Sequence, residues 1–192
     1  MSELSDWLVV FSHGKESGPW GSKIKALAQR AERHSAQVLS VNYREWPQGV
    51  VHDQDLPGEA ERRVAQLLAT PLPAHQHLLL VGSSMGAYVC TQASRTLKPR
   101  GLFLLAPAFY LPGYAEQDPE SHTAAGPAGA STLVVHGWGD EVVPVENSIR
   151  FARQHRCALH LLDGDHRLNA ALPQIEPLFE KFLLNLSAVE QG

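Results

Sequence analysis

His77-Leu78-Leu79-Leu80-Val81-Gly82-Ser83-Ser84-Met85-Gly86 is the stretch on which the reading of this chain turns. Its first five residues are nearly all apolar, which suits a central parallel strand covered on both faces. The run ends in a G-x-S-x-G sequence, and a helix-length stretch follows from Ser84 to about Leu97. A serine in that setting is lifted clear of the sheet on a sharp turn. Glycines on either side let strand and helix approach without a Cβ clash. Ser84 is therefore a candidate nucleophile; the plainer reading makes it a helix cap and the glycines aids to packing.

Outward from this point the same unit recurs. Leu8-Val9-Val10-Phe11 reads as a first strand, and a helix from Ser22 to His34 carries Ile24, Leu27, Ala28 and Ala31 at helical spacing. Val38 to Val41 reads as a second strand. A Pro- and Gly-marked loop from Tyr43 to Gly58 leads into a helix from Glu59 to Ala69, which Pro71 and Pro73 end. Leu102–Leu105, Leu133–His136 and Ala158–Leu162 supply three more strands, with helices at Val145–His155 and Ile175–Leu186. This alternation predicts an α/β fold of about six parallel strands with helices on both faces. Residues 107–131 are the one long connection without a clear helix. At 192 residues and 21.0 kDa the expectation is a single domain over 1–192.

Ligands of such a sheet bind outside the carboxyl ends of its strands. The fifth strand runs into His136-Gly137-Trp138-Gly139-Asp140-Glu141-Val142-Val143-Pro144. Asp140 there can orient a histidine and stabilise its cation, or simply shape the turn; Glu141 could substitute. The sixth strand runs into Asp163-Gly164-Asp165-His166, where a general base is expected. Asp163 and Asp165, close in sequence, are alternative acids for His166. The order Ser84, Asp140, His166 is nucleophile, acid, base.

The first strand is followed by Ser12-His13-Gly14-Lys15-Glu16-Ser17-Gly18-Pro19-Trp20-Gly21. An oxyanion hole needs two backbone N–H groups, and Met85 and Lys15 are placed to supply them; otherwise this is a Gly-rich turn with no donor. Trp20, Phe109, Tyr110 and Trp138 fall on loops at the same end. They could line an acyl or aromatic substrate pocket, or pack the loops onto the domain.

Composition narrows the field. The chain is 44% hydrophobic and 19% charged, which suits a folded core, and its net charge is -4. With no basic stripe it is not expected to bind nucleic acid. No apolar run approaches the roughly 20 residues of a membrane-spanning helix, so no membrane partner is expected. Met1 to Phe11 carries Glu3 and Asp6 without a basic residue, so no secretory leader is read and a cytoplasmic location is expected. Cys90 and Cys157 form neither a CxxC pair nor a disulfide framework and read as small buried hydrophobes. His75-x-His77 precedes a strand, away from the strand-end residues, so no metal site is expected. Neither G-x-G-x-x-G nor a Walker A sequence is present, and no cofactor is expected.

His13-Gly14, Gly82-Ser83-Ser84-Met85-Gly86, His136-Gly137-Trp138-Gly139-Asp140 with Val143-Pro144, and Gly164-Asp165-His166 together resemble the landmarks of the α/β-hydrolase superfamily. The match runs from about Leu8 to Leu184, and is nearest to compact, lidless bacterial serine hydrolases. The resemblance implies Ser84 as nucleophile, Asp140 as acid and His166 as base, with Met85 and Lys15 as oxyanion donors. It implies cleavage of a small carboxylic ester or thioester through an acyl-enzyme, without metal or organic cofactor. Against the family pattern, the two leading strands and a lid domain are lacking. The GxCxGG pattern of dienelactone hydrolases is absent, because position 84 is Ser. Ala87 follows Gly86, where acyl-protein thioesterases usually show a second glycine. The alternative of a different class is a non-catalytic binding or scaffold protein that retains the hydrolase fold.

Overall fold

Alternate residues of a strand face opposite sides of its sheet, so strands apolar at every position demand a cover on both faces. Strands β1 (Trp7–Ser12), β2 (Gln37–Val41), β3 (His77–Ser83), β4 (Gly101–Leu105), β5 (Ser131–Gly137) and β6 (Ala158–Leu162) form one sheet, ordered β2-β1-β3-β4-β5-β6. Every pairing is parallel. This computed structural model describes residues 4–111 and 131–188. Most of the connection between β4 and β5, residues 112–130, lies outside the described residues, and with it the expectation that no lid is inserted there.

The helices are α1 (Ser22–Glu32), α2 (Glu59–Ala69), α3 (Met85–Leu97), α4 (Val145–His155) and α5 (Leu172–Ala188). On one face Val9, Phe11, Leu79, Val81, Phe103, Leu105 and Val135 meet α1 through Leu27 and Ala31 and α5 through Phe179 and Leu183. On the other, Leu8, Val10, Leu80, Leu102, Leu104 and Val134 meet Leu67 of α2, Val89 of α3 and Phe151 of α4. Burying one such side chain stabilises the fold by about 1.5–3 kcal/mol. α1 and α5 are also tied by charge. Arg30 donates to Glu176 at 2.8 Å and to Glu180 at 3.0 Å, and His34 Nε2 lies 2.7 Å from Glu180. Among the described residues no helix is long and apolar enough to cross a membrane.

Boundaries differ from the sequence reading in two instructive places. β3 runs on to Ser83 and α3 starts only at Met85, because Ser84 between them has φ 54 and ψ -119. That backbone belongs to neither element and is strained for a non-glycine residue. α5 starts at Leu172, ahead of the expected Ile175, with Pro173 in its first turn, where the missing N–H costs nothing.

The strand order reverses at β1, since the chain turns outward to β2 and returns on the other side as β3. The crevice of the sheet therefore opens between the carboxyl ends of β1 and β3. Two glycines let it close tightly. A Cβ on Gly86 would overlap the Ser12 carbonyl oxygen and stand 2.8 Å from that of His13; one on Gly82 would strike the backbone of Ala87.

His13, directly after β1, is fully buried. Its Nδ1–H donates to the Gly14 carbonyl oxygen at 2.7 Å, and its Nε2 accepts the Tyr43 amide at 3.3 Å. A second ring proton would point at that amide. Burial pushes the imidazole down from the ordinary 6.5 to about 4, with the Gly14 carbonyl opposing and Arg63 and Arg44 assisting.

Two outcomes follow. Gly86→Ala should destabilise the protein by about 1–3 kcal/mol through overpacking, lowering the thermal midpoint by several degrees, whereas Gly18→Ala, with open space around its Cβ, should leave it within a degree or so. Between pH 6.5 and about 4 the unfolded chain takes up a proton at His13 that the folded chain refuses. Stability contributed by neutral His13 is thus present at neutral pH and lost as pH falls through that window, about 3 kcal/mol in all. The stability gap between wild type and His13→Gln, read from urea unfolding, should narrow by about that amount between neutral pH and about pH 4; a constant gap would contradict it.

Candidate active site

Ser84 is the hinge between β3 and α3. Its N–H donates to the Leu105 carbonyl of β4 at 2.9 Å, which carries the sheet ladder up to the turn, and its carbonyl accepts the Ala87 amide at 3.0 Å. Held at both ends, the residue keeps its positive φ and presents Oγ, partly exposed, above the sheet. Nε2 of His166 lies 3.0 Å from that Oγ. Nδ1 of His166 lies 2.7 Å from Asp140 Oδ2. Residues 82 positions apart and 26 positions apart thus make one chain of hydrogen bonds. Because Nδ1–H donates to the carboxylate, Nε2 is free to accept from the serine hydroxyl.

The Asp140 side chain is fully buried, whereas that of His166 remains 20% exposed. Asp140 Oδ1 accepts the Val142 and Val143 amides at 2.9 and 2.8 Å. Burial alone would push its carboxyl up; the Val143 amide, His166 and the Val142 amide outweigh that and hold it below the usual carboxylate range. Asp165, one of the alternative acids, accepts the Leu168 amide at 2.9 Å and shapes the turn after His166. Lys23, on the first turn of α1, is pulled by burial down to about 8, with Asp165 and Asp140 opposing.

The loop after β1 lies against the serine. A Cβ placed on Gly14 would stand 3.5 Å from Ser84 Cβ. Met85 begins α3 immediately beyond Ser84, and Lys15 follows Gly14 in that loop. The Lys15 side chain turns to Asp55, its Nζ 2.6 Å from the carboxylate.

The aromatic candidates divide. Trp20 and Trp138 are exposed, at 45% and 59%. Tyr110 faces α4: its hydroxyl donates to Gln154 at 2.9 Å and Arg150 sits 3.9 Å above its ring. Phe109 is core, fully buried with its ring 4.5 Å from that of Phe151. Cys90 is likewise buried, and burial pushes its thiol up to about 12. Among the described residues no group of three or more His, Cys, Asp or Glu side chains is arranged to hold a metal ion.

Two residues given no role from the sequence reach these elements. His136, fully buried, donates from Nε2 to the Val143 carbonyl at 3.1 Å, accepts Ser148 Oγ–H at Nδ1 at 2.6 Å, and stands 2.9 Å from Asp140 Oδ2. It precedes Asp140 by one helical-turn spacing, the only local signal of their contact. Arg63 of α2 donates to the His13 carbonyl at 3.0 Å.

No family model matches the sequence, and no curated protein matches it. Solved structures do. A protein from Xanthomonas campestris pv. campestris, assigned to the alpha/beta superfamily of hydrolases, is 27% identical, with 94% of this chain and 99% of that chain covered at a TM-score of 0.75. Est1E from Butyrivibrio proteoclasticus, solved with ferulic acid bound, is 19% identical, covering 94% and 89% at a TM-score of 0.77. A serine hydrolase without a lid from Xanthomonas campestris is 21% identical, covering 94% and 82% at a TM-score of 0.68. At those lower identities the likeness is one of fold. Six parallel strands in this order and the likeness to these solved structures together give the chain the α/β-hydrolase fold.

Proposed function

We propose that this chain is a serine hydrolase that transfers the acyl group of a small carboxylic ester or thioester to water. The observation that carries the reading is the hydrogen-bonded chain Ser84 Oγ, His166, Asp140, at 3.0 and 2.7 Å, with the serine on a strained turn between strand and helix. His166 Nε2 takes the Ser84 proton as Oγ attacks the acyl carbonyl carbon. The carbonyl oxygen gains the negative charge and is stabilised by the Met85 and Lys15 amides. Asp140, kept ionised, stabilises the imidazolium. As the tetrahedral adduct collapses, the bond to the leaving group breaks and His166 returns the proton to it. Water then repeats the sequence on the acyl-enzyme, releasing the acid and restoring Ser84. Partial exposure of Ser84 and His166 supports a substrate that is small, or an acyl group presented by something larger. Exposed Trp20 and Trp138 are proposed to bound that substrate; Tyr110, engaged with α4, is the weaker member of the predicted set.

A fluorophosphonate probe should label wild type and leave Ser84→Ala unlabelled; a folded wild type that stays unlabelled would remove the nucleophile and leave the binding-protein reading. Asp140→Asn removes the charge that orients His166, and kcat on a p-nitrophenyl ester should fall by about 10²–10⁴-fold. A loss under about threefold would instead assign His166 another partner.

A further inference from the structure

Arg63 is a basic side chain with no exposure at all, sunk in the middle of α2. Its Nε donates to Glu59 at 2.6 Å, one Nη donates to Gln54, and the other donates to the His13 carbonyl oxygen at 3.0 Å. The guanidinium also stands 5.0 Å from the centre of the Tyr43 ring. Burying a guanidinium is costly, and a buried ion pair of this kind is often replaceable by apolar groups without loss of stability. Its placement is therefore poorly explained by stability alone.

The carbonyl it holds is better placed to explain it. The His13 C=O and the Gly14 N–H belong to one rigid peptide plane, so fixing the first aims the second. Gly14 has no side chain with which to anchor itself, and it lies against Ser84. Lys15, whose amide is the second proposed oxyanion donor, is the next residue. The same carbonyl is closely approached by Gly86 of α3. α3 and Arg63 thus both bear on the peptide from which the loop departs, which the His13 ring also braces through the Gly14 carbonyl and the Tyr43 amide. A charge-assisted hydrogen bond is the stronger kind, and the three-way fork leaves the guanidinium no freedom to turn.

Resting on the reading of Ser84 as nucleophile, we propose that Arg63 is a positioning residue for the oxyanion loop. Its guanidinium holds the His13 carbonyl, and with it the Gly14 peptide, so that the Lys15 amide stays directed at the oxygen of the Ser84 adduct. Glu59 in turn holds Arg63, and is itself shared with Arg62 at 2.7 Å, so loss of Arg63 leaves Glu59 paired.

The test compares wild type, Arg63→Met, Arg63→Lys and Leu67→Ala as whole chains. Leu67 lies one turn further along α2 and is fully buried, so its truncation reports loss of helix packing alone. The second-order rate of Ser84 labelling by a fluorophosphonate should fall about 10- to 100-fold in Arg63→Met, and by less than about threefold in Leu67→Ala. On p-nitrophenyl acetate the Arg63→Met loss should fall in kcat, with KM within about twofold. Arg63→Lys keeps the charge without the fork and should lie between. Arg63→Met labelled at the wild-type rate, an equal loss in Leu67→Ala, or a loss confined to KM would each overturn the inference. Should Arg63→Met fail to fold, Arg63→Lys decides, and a wild-type rate there overturns it. Wild type that takes no label defeats the Ser84 reading and the inference with it, whereas a labelled wild type with unaffected Arg63 variants defeats the inference alone.

Discussion

The constraint on which the rest of this structure depends is the missing side chain at residues 82 and 86. Helix α3 meets the backbone of β1 so closely that a single Cβ on Gly86 would occupy the Ser12 carbonyl oxygen. That contact is what lets one chain of seven strand residues stop, turn through Ser84 and leave as a helix without moving away from its neighbour. Relax it, and Ser84 loses its positive φ, its height above the sheet and its distance from Gly14 together. Gly137 repeats the device on the far side, where a Cβ would overlap the Gly164 carbonyl, and so joins the loop that carries Asp140 to the loop that carries His166.

Electrostatics finishes what packing begins. Asp140 is surrounded by two amides, His166 and His136, so a buried carboxylate stays charged against the upward push of burial. His13 shows the reverse: buried near Arg63 and Arg44 and accepting an amide at Nε2, it stays neutral. The two are opposite in charge preference, one joined to Ser84 through His166 and the other preceding the Gly14 that lies against it. Backbone amides and His166 hold Asp140 charged, whereas burial above all keeps His13 neutral.

Much of this could be read from the residues in order. Leu79-Leu80-Val81 and Leu133-Val134-Val135 announce buried strands because every position is apolar. Ser84, Asp140 and His166 announce a site because each follows a strand that must end on the same edge. What could not be read is contact across the fold without periodicity. Arg63 sits on an amphipathic helix and looks like its solvated face; 50 residues separate it from the His13 carbonyl to which it donates. Phe109 shows the opposite limit. A loop phenylalanine has equal title to a pocket or to the core, and only the ring of Phe151 beside it decides.

The clamp between α1 and α5 has a mechanical consequence. His166 hangs on a short span whose two ends are unlike: behind it is β6, an edge strand with no fully buried residue, and ahead of it is α5, fastened to α1 by Arg30, Glu176, Glu180 and His34. Edge strands and their loops open at lower free energy than the centre of a sheet. His166 is therefore tethered to an edge of the sheet, while Ser84 follows a central strand. On warming, such a molecule should come apart at this contact before it melts: Ser84 keeps its place in an intact core after His166 has begun to swing away.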